Sequence, residues 1–232
     1  MLDLQLGPLG SASVYLAFGL ALYGAVAGVL GARRRDARLQ TSARLAAVAG
    51  FILATAAVVV MQAALLTDDF SVSYVAGHSR IASPTWVKVV TMWAALEGSI
   101  LLWAWLLTGY TALLAVTAPL SPLRPLAISI MQGVQVFFLG VVAFIADPFT
   151  VLAVPPLDGP GPNELLQNHW MMAVHPLLMY LGFVGLTVPF AYAMAALITR
   201  RPGTEWMAQT RRWTLTGWGL LSAANVAGGW WS

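Results

Sequence analysis

Trp170-Met171-Met172-Ala173-Val174-His175-Pro176-Leu177-Leu178-Met179-Tyr180-Leu181-Gly182-Phe183-Val184-Gly185, continued without a charge to Ile198, is the stretch on which the fold turns. It exceeds the roughly twenty apolar residues that a helix needs to cross the hydrocarbon core of a bilayer. Only helices and closed barrels satisfy every backbone group in lipid, and an unalternating run of this length selects the helix. Inside it stands one histidine, followed at once by a proline. An imidazole in hydrocarbon costs free energy unless it has a partner, so His175 is a candidate functional residue. Neutral imidazole also ligates metal ions and haem iron.

Working outward, composition places the whole chain in the same class. Hydrophobic residues make up 59% and charged residues 9%, against about one quarter charged in soluble domains. Eleven of the twelve basic residues are arginine, and they sit in loops. The high pI therefore reflects loop charge at a membrane surface, with no face suited to nucleic acid. Cysteine is absent, which excludes a disulfide scaffold, a thiolate metal site and thiol chemistry by this chain's own side chains.

Six segments reach spanning length: Ser11–Gly31, Ala43–Leu66, Ala94–Val116, Leu126–Ala146, Trp170–Ile198 and Trp213–Gly229. The expected fold is all-α, a polytopic integral membrane protein with about six transmembrane helices plus a short interfacial helix. Residues 1–232 read as one transmembrane domain. Met1–Gly10 lacks a basic region and carries Asp3, so the first segment is not a cleavable signal.

Loop charge predicts orientation. Arg33, Arg34, Arg35, Arg38 and Arg44 follow the first segment, Arg124 follows the third, and Arg200, Arg201, Arg211 and Arg212 follow the fifth. The alternate loops, 67–85 and 147–169, carry only Arg80 as arginine, with Asp147, Asp158 and Glu164 in the second. Positive-inside counting puts these two loops and both termini outside.

The loop 147–169 contains Pro148, Pro155, Pro156, Pro160 and Pro162 with Gly159 and Gly161, a composition for a rigid extended lid or docking edge. In Pro84–Trp93, residues Trp86, Val89, Val90 and Trp93 fall at helical spacing, with Lys88 and Thr91 on another face. That pattern suits a short interfacial helix with tryptophans toward lipid or a flat apolar ligand, or the start of a tilted span.

Two ionisable residues lie within the spans. Glu97, about one turn into the third, sits where helix N-terminal amides favour negative charge. His175 lies two turns into the fifth if Asn168 is the N-cap, on the order of 10 Å deep. Pro176 frees backbone groups and predicts a local kink. Both residues enter from the outer face, so they share a leaflet. His78 and His169 fall in outside loops, as solvated side chains or a second ligand.

Asp69-Phe70-Ser71-Val72-Ser73-Tyr74-Val75-Ala76-Gly77-His78-Ser79, Trp93-Ala94-Ala95-Leu96-Glu97-Gly98-Ser99, Asp147-Pro148-Phe149, Pro155-Pro156-Leu157-Asp158-Gly159, Asn163-Glu164-Leu165-Leu166-Gln167, the His175 stretch and Arg211-Arg212-Trp213 occur in an order that resembles the CcmF-type cytochrome c haem lyases. The resemblance implies a haem-handling protein of the bacterial inner membrane. It implies that haem arrives from the chaperone CcmE, that CcmH and CcmI present the apocytochrome c, and that thioether attachment follows. It implies His175 as the first of two outer-side haem-ligating histidines, with Trp86, Trp93 and Glu97 as further cofactor-binding candidates. A tryptophan-rich outer motif, the second outer histidine and two membrane histidines for a resident b-type haem have no counterpart here. Gly228-Gly229-Trp230-Trp231-Ser232 is similar to the residues just ahead of that motif, so the chain is expected to be the N-terminal part of such a protein. Haem lyase activity is then expected of the complete protein.

Two other classes compete. A transporter of haem or another amphiphile should show internal repeats and broken helices near the midplane, and no convincing repeat is found. A quinone-linked respiratory subunit wants ionisable residues strung across the bilayer, whereas Glu97 and His175 lie toward one side.

Overall fold

A computed structural model describes residues 5–119, 121–164, 169–201 and 203–231. Among them the regular elements are helices: α1 (Leu6–Arg34), α2 (Ala37–Leu66), α3 (Ser73–His78), α4 (Thr85–Thr91), α5 (Leu96–Thr117), α6 (Arg124–Phe144), α7 (Met171–Gly185), α8 (Thr187–Ile198) and α9 (Glu205–Trp231). Five spans are long and apolar enough to cross a membrane, the fifth, Ala173–Ile198, running through both α7 and α8. The expected sixth, Trp213–Gly229, is helical within α9 but is not among the five. Its glycines, tryptophans and Asn225 lower its hydropathy without shortening it. The polytopic, all-helical expectation holds with five such spans among the described residues, and the sixth expected segment is a helix of lower hydropathy.

α1 and α2 form a hairpin closed by Arg35, which adopts a left-handed φ of 55°, and by Asp36, whose carboxylate accepts from the amides of Arg38 and Leu39 at 2.8 and 3.3 Å. That is an N-cap of the strongly preferred kind. α1 buries a stripe of small residues, Gly10, Ala17, Ala21, Gly24 and Gly28 among them. Close approach follows: a Cβ at Gly24 would fall 2.0 Å from the Gln132 amide, and one at Gly28 would fall 2.0 Å from Ser129 Oγ. Small faces and buried amides substitute for the hydrophobic effect, which does not drive helices together within lipid. Gln132 donates to the Ala43 carbonyl at 3.1 Å, and Gln135 donates to Thr111 Oγ1 at 2.6 Å, tying α6 to α2 and α5.

The fifth span is interrupted at Leu186, not at Pro176. Pro189 has no N–H to offer the Gly185 carbonyl four residues back, and Gly185 is itself a poor helix former. Pro176 withdraws one donor close to the start of α7, and the helix continues through it. The expected kink therefore moves to the second proline.

At the end opposite the arginine loops, the two long loops pair with one another. Ser73 N donates to Thr150 O and Leu152 N to Ser71 O, each at 2.8 Å, around a Val72–Val151 bridge. Phe149 is buried against Gly10 of α1. Asp158 accepts from Ile81 N at 2.9 Å, and this amide chiefly holds its carboxyl below the ordinary carboxylate value. The loop 147–163 thus lies across its partner as an extended strap, as its prolines predict.

α4 is a short helix, but its faces are arranged otherwise than its spacing suggests. Trp86 is exposed and Val89 half-buried, while Val87, Lys88, Val90 and Thr91 are buried. Lys88 tolerates burial because its ammonium bonds both Asp68 carboxylate oxygens, at 2.7 and 2.6 Å. A buried lysine without such a partner would be costly.

Candidate functional site

His175 occupies the seam between α7 and α9. α7 begins at Met171, so the histidine lies about one turn, roughly 6 Å, into the helix, shallower than two turns from Asn168. Asn168 itself lies outside the described residues. On α9, Gly217, Leu221, Ala224 and Gly228 recur along one face and make the seam. A Cβ at Gly182 would come 2.6 Å from Leu221 Cγ and 3.1 Å from the Gly217 carbonyl. A Cβ at Gly228 would come 2.7 Å from His175 Cε1. Glycine at 228 therefore makes room for the imidazole.

A hydrogen bond to α9 orients the imidazole. Nδ1 lies 2.9 Å from the Ala224 carbonyl oxygen. A carbonyl only accepts, so Nδ1 carries a proton, and in a neutral ring Nε2 would be the basic nitrogen. A backbone carbonyl on the far nitrogen is the arrangement that fixes tautomer and ring plane in metal-ligating histidines. An imidazole held in this way has the chemistry of a residue that could hold a haem iron.

Aromatic rings gather at the same end of the seam. The His169 and Trp170 rings stack with centroids 6.1 Å apart, and Trp230 meets them edge-on at 6.0 and 5.6 Å. Trp170 and Trp230 are both exposed. His169 Nδ1 accepts from Met171 N at 3.2 Å, which leaves the proton on Nε2 in its neutral form. Its tautomer is thus the reverse of that of His175. His78 is half-buried, with Nδ1 3.0 Å from the Tyr74 carbonyl of its own helix and its ring 4.6 Å from that of Tyr74.

Glu97 is the second residue of α5, half-buried, in the first-turn position expected of it. Its electrostatic neighbour is Tyr74, whose phenol is pushed well above its usual range by burial first and by Glu97 and Tyr180 in addition. The Tyr74 hydroxyl donates to the carbonyls of Thr91 and Met92 at 2.8 and 3.1 Å. α5 reaches α7 through Tyr180, which donates to Ser99 Oγ at 3.3 Å; Ser99 in turn donates to the Trp93 carbonyl at 3.0 Å. Glu97 and His175 thus stand near the starts of neighbouring helices, Glu97 beside Tyr74 and His175 bonded to the Ala224 carbonyl.

Trp86 is exposed on α4, and Trp93 packs half-buried on the core shared by α1, α2 and α5. The rings beside the His175 seam are instead Trp170 and Trp230. Trp170 opens the span already singled out, but Trp230 lies in its least hydrophobic segment. The recurrence of Gly217, Leu221, Ala224 and Gly228 on one helical face is the signal that marks α9 as its neighbour.

The family model for "Cytochrome C assembly protein" matches residues 93–232. The chain is 37% identical over 227 residues to the cytochrome c-type biogenesis protein CcmF of Escherichia coli (strain K12), covering 97% of this chain and 35% of that protein. Against CcmF of Pseudomonas aeruginosa the identity is 38%, with 97% and 34% covered. A solved structure, "Cytochrome c Heme Lyase CcmF", superposes with a TM-score of 0.88 at 47% identity, covering all of this chain and 37% of that one. The chain therefore spans about a third of the length of these relatives.

Proposed function

The chain belongs to the cytochrome c assembly proteins, as a CcmF-type member and a multi-pass membrane protein, and from that membership we propose that it handles haem at the outer face of the bacterial inner membrane for attachment to apocytochrome c. Residues 1–232 act as one transmembrane unit of this haem-handling protein. The arginine loops face the cytoplasm, and the paired loops and both ends of this stretch face outward. Haem is received from CcmE, and CcmH and CcmI present the apocytochrome.

One observation carries this reading. The Nδ1 bond from His175 to the Ala224 carbonyl supports a tautomer in which Nε2 would be the ligating atom. Haem, when bound, supplies the vinyl groups that become thioethers; the protein supplies ligation, orientation and polarity. His175 would hold the iron on one face, leaving the other to a histidine of the apocytochrome. Trp170 and Trp230 offer flat apolar surface at the rim, and exposed Trp86 offers a further contact from α4. Trp93 and Glu97 support the site from the start of α5, Glu97 through its negative charge.

The test is His175→Ala in the complete protein, read as holocytochrome c yield at normal membrane abundance. Loss of holocytochrome c is expected. Wild-type yield would remove His175 from the reaction and leave only the family membership.

A further inference from the structure

At the arginine-rich end of the molecule, two guanidinium groups converge on one carbonyl. Arg44 Nε of α2 donates to Ala115 O at 3.2 Å, and Arg124 Nη2, at the start of α6, donates to the same oxygen. Ala115 lies in the last turn of α5, where the helix end offers only about half a negative charge. Two full positive charges therefore meet on a partial negative one. The only ion pair among the described residues is Lys88–Asp68, at the opposite end. Arg124 is 6% exposed, and its buried Nε has no hydrogen-bond partner among the described residues. A guanidinium buried without an anion is costly, and no carboxylate among the described residues pairs with that of Arg124.

Both arginines line a 440 Å³ pocket between α2 and the start of α6, whose wall also includes Gln40, Thr41 and Ser121. No acidic residue among the described residues lines it. A neighbouring 360 Å³ pocket shares Gln40 and Ser121 and adds Arg35 and Arg201, which extends the positive surface. The pocket lies at the starts of α2 and α6, the ends from which both helices run into their apolar stretches.

We propose that the Arg44–Arg124 pocket binds a phosphate-class anion, carried by an anionic lipid headgroup or present as free phosphate. The planar guanidinium fork matches phosphate oxygens in pairs. Basic pockets between transmembrane helices on the cytoplasmic side take anionic headgroups. This site lies at the opposite end of the bundle from His175 and does not depend on the role proposed for that residue.

The test uses the full-length protein and native mass spectrometry in two arms. In the first, phosphatidylglycerol is titrated against phosphatidylcholine in phosphate-free buffer. In the second, inorganic phosphate is titrated with phosphatidylcholine as the only lipid. Retention of phosphatidylglycerol over phosphatidylcholine identifies the headgroup as the source; a phosphate adduct in the second arm identifies the free ion. In whichever arm binds, Arg44→Gln, at an exposed residue of α2, should weaken retention about fivefold. Arg124→Lys keeps the charge, loses the fork and should also weaken it. Equal retention of the two lipids with no phosphate adduct overturns the proposal, as does a preference unchanged in both variants.

Discussion

At His175 the informative atom is Nδ1. With its proton directed at the Ala224 carbonyl, Nδ1 is engaged, and in the proposed role Nε2 would be the ligating nitrogen. The partner lies 49 residues further along the chain, so no reading of the local stretch Val174-His175-Pro176 could name it. What local sequence did disclose was the cost of an imidazole in an apolar run, which is enough to single the residue out. Glu97 is the complementary case. Its place in the first turn of α5 was legible from spacing, but its neighbour Tyr74 comes from a loop helix folded back over it. Removing its charge should cost what a first-turn carboxylate is worth, about 0.3–1 kcal/mol. Glu97→Gln in the complete protein should also lower holocytochrome c yield, by less than loss of His175 does. An unchanged yield at normal protein level would make Glu97 a structural residue.

At the scale of elements, hydropathy located the spans because a bilayer demands length and apolarity of each segment separately. It did not locate the interruption at Leu186, because either proline in the span withdraws a donor and only the surroundings decide which withdrawal breaks the helix. Nor did spacing predict the faces of α4. The Lys88–Asp68 pair reverses the usual rule that lysine faces water, and it depends on Asp68 taking a left-handed φ of 55° after α2. The α7–α9 seam is the element on which the candidate site rests, and Gly182 is its tightest described contact on α7. Gly182→Val would push against Leu221 and should destabilise the bundle by about 1–3 kcal/mol, an overpacking cost. Thermal unfolding of the full-length protein in detergent reads this directly, as a lower midpoint together with reduced cytochrome yield. An unchanged midpoint would mean that the seam has room to adjust.

Over the whole molecule, the arginines of separate loops meet at one end and the two acidic loops pair at the other. Loop charge alone foretold this division. The backbone bonds that dock one outer loop on the other were not foretold, because they join segments whose sequences carry no strand pattern. Reporters fused after Arg35 or Arg201 should read cytoplasmic, and one near Pro160 extracytoplasmic; the reverse readings would invert the molecule and move His175 to the cytoplasmic leaflet. The central claim is that an imidazole at position 175 ligates haem during attachment. It is tested most directly by supplying free imidazole to cells whose complete protein carries His175→Ala. Holocytochrome c should be absent without imidazole and partly restored with it, since the small molecule can take the place of the missing side chain. Wild-type yield from the variant without added imidazole, at normal protein abundance, would contradict the assignment.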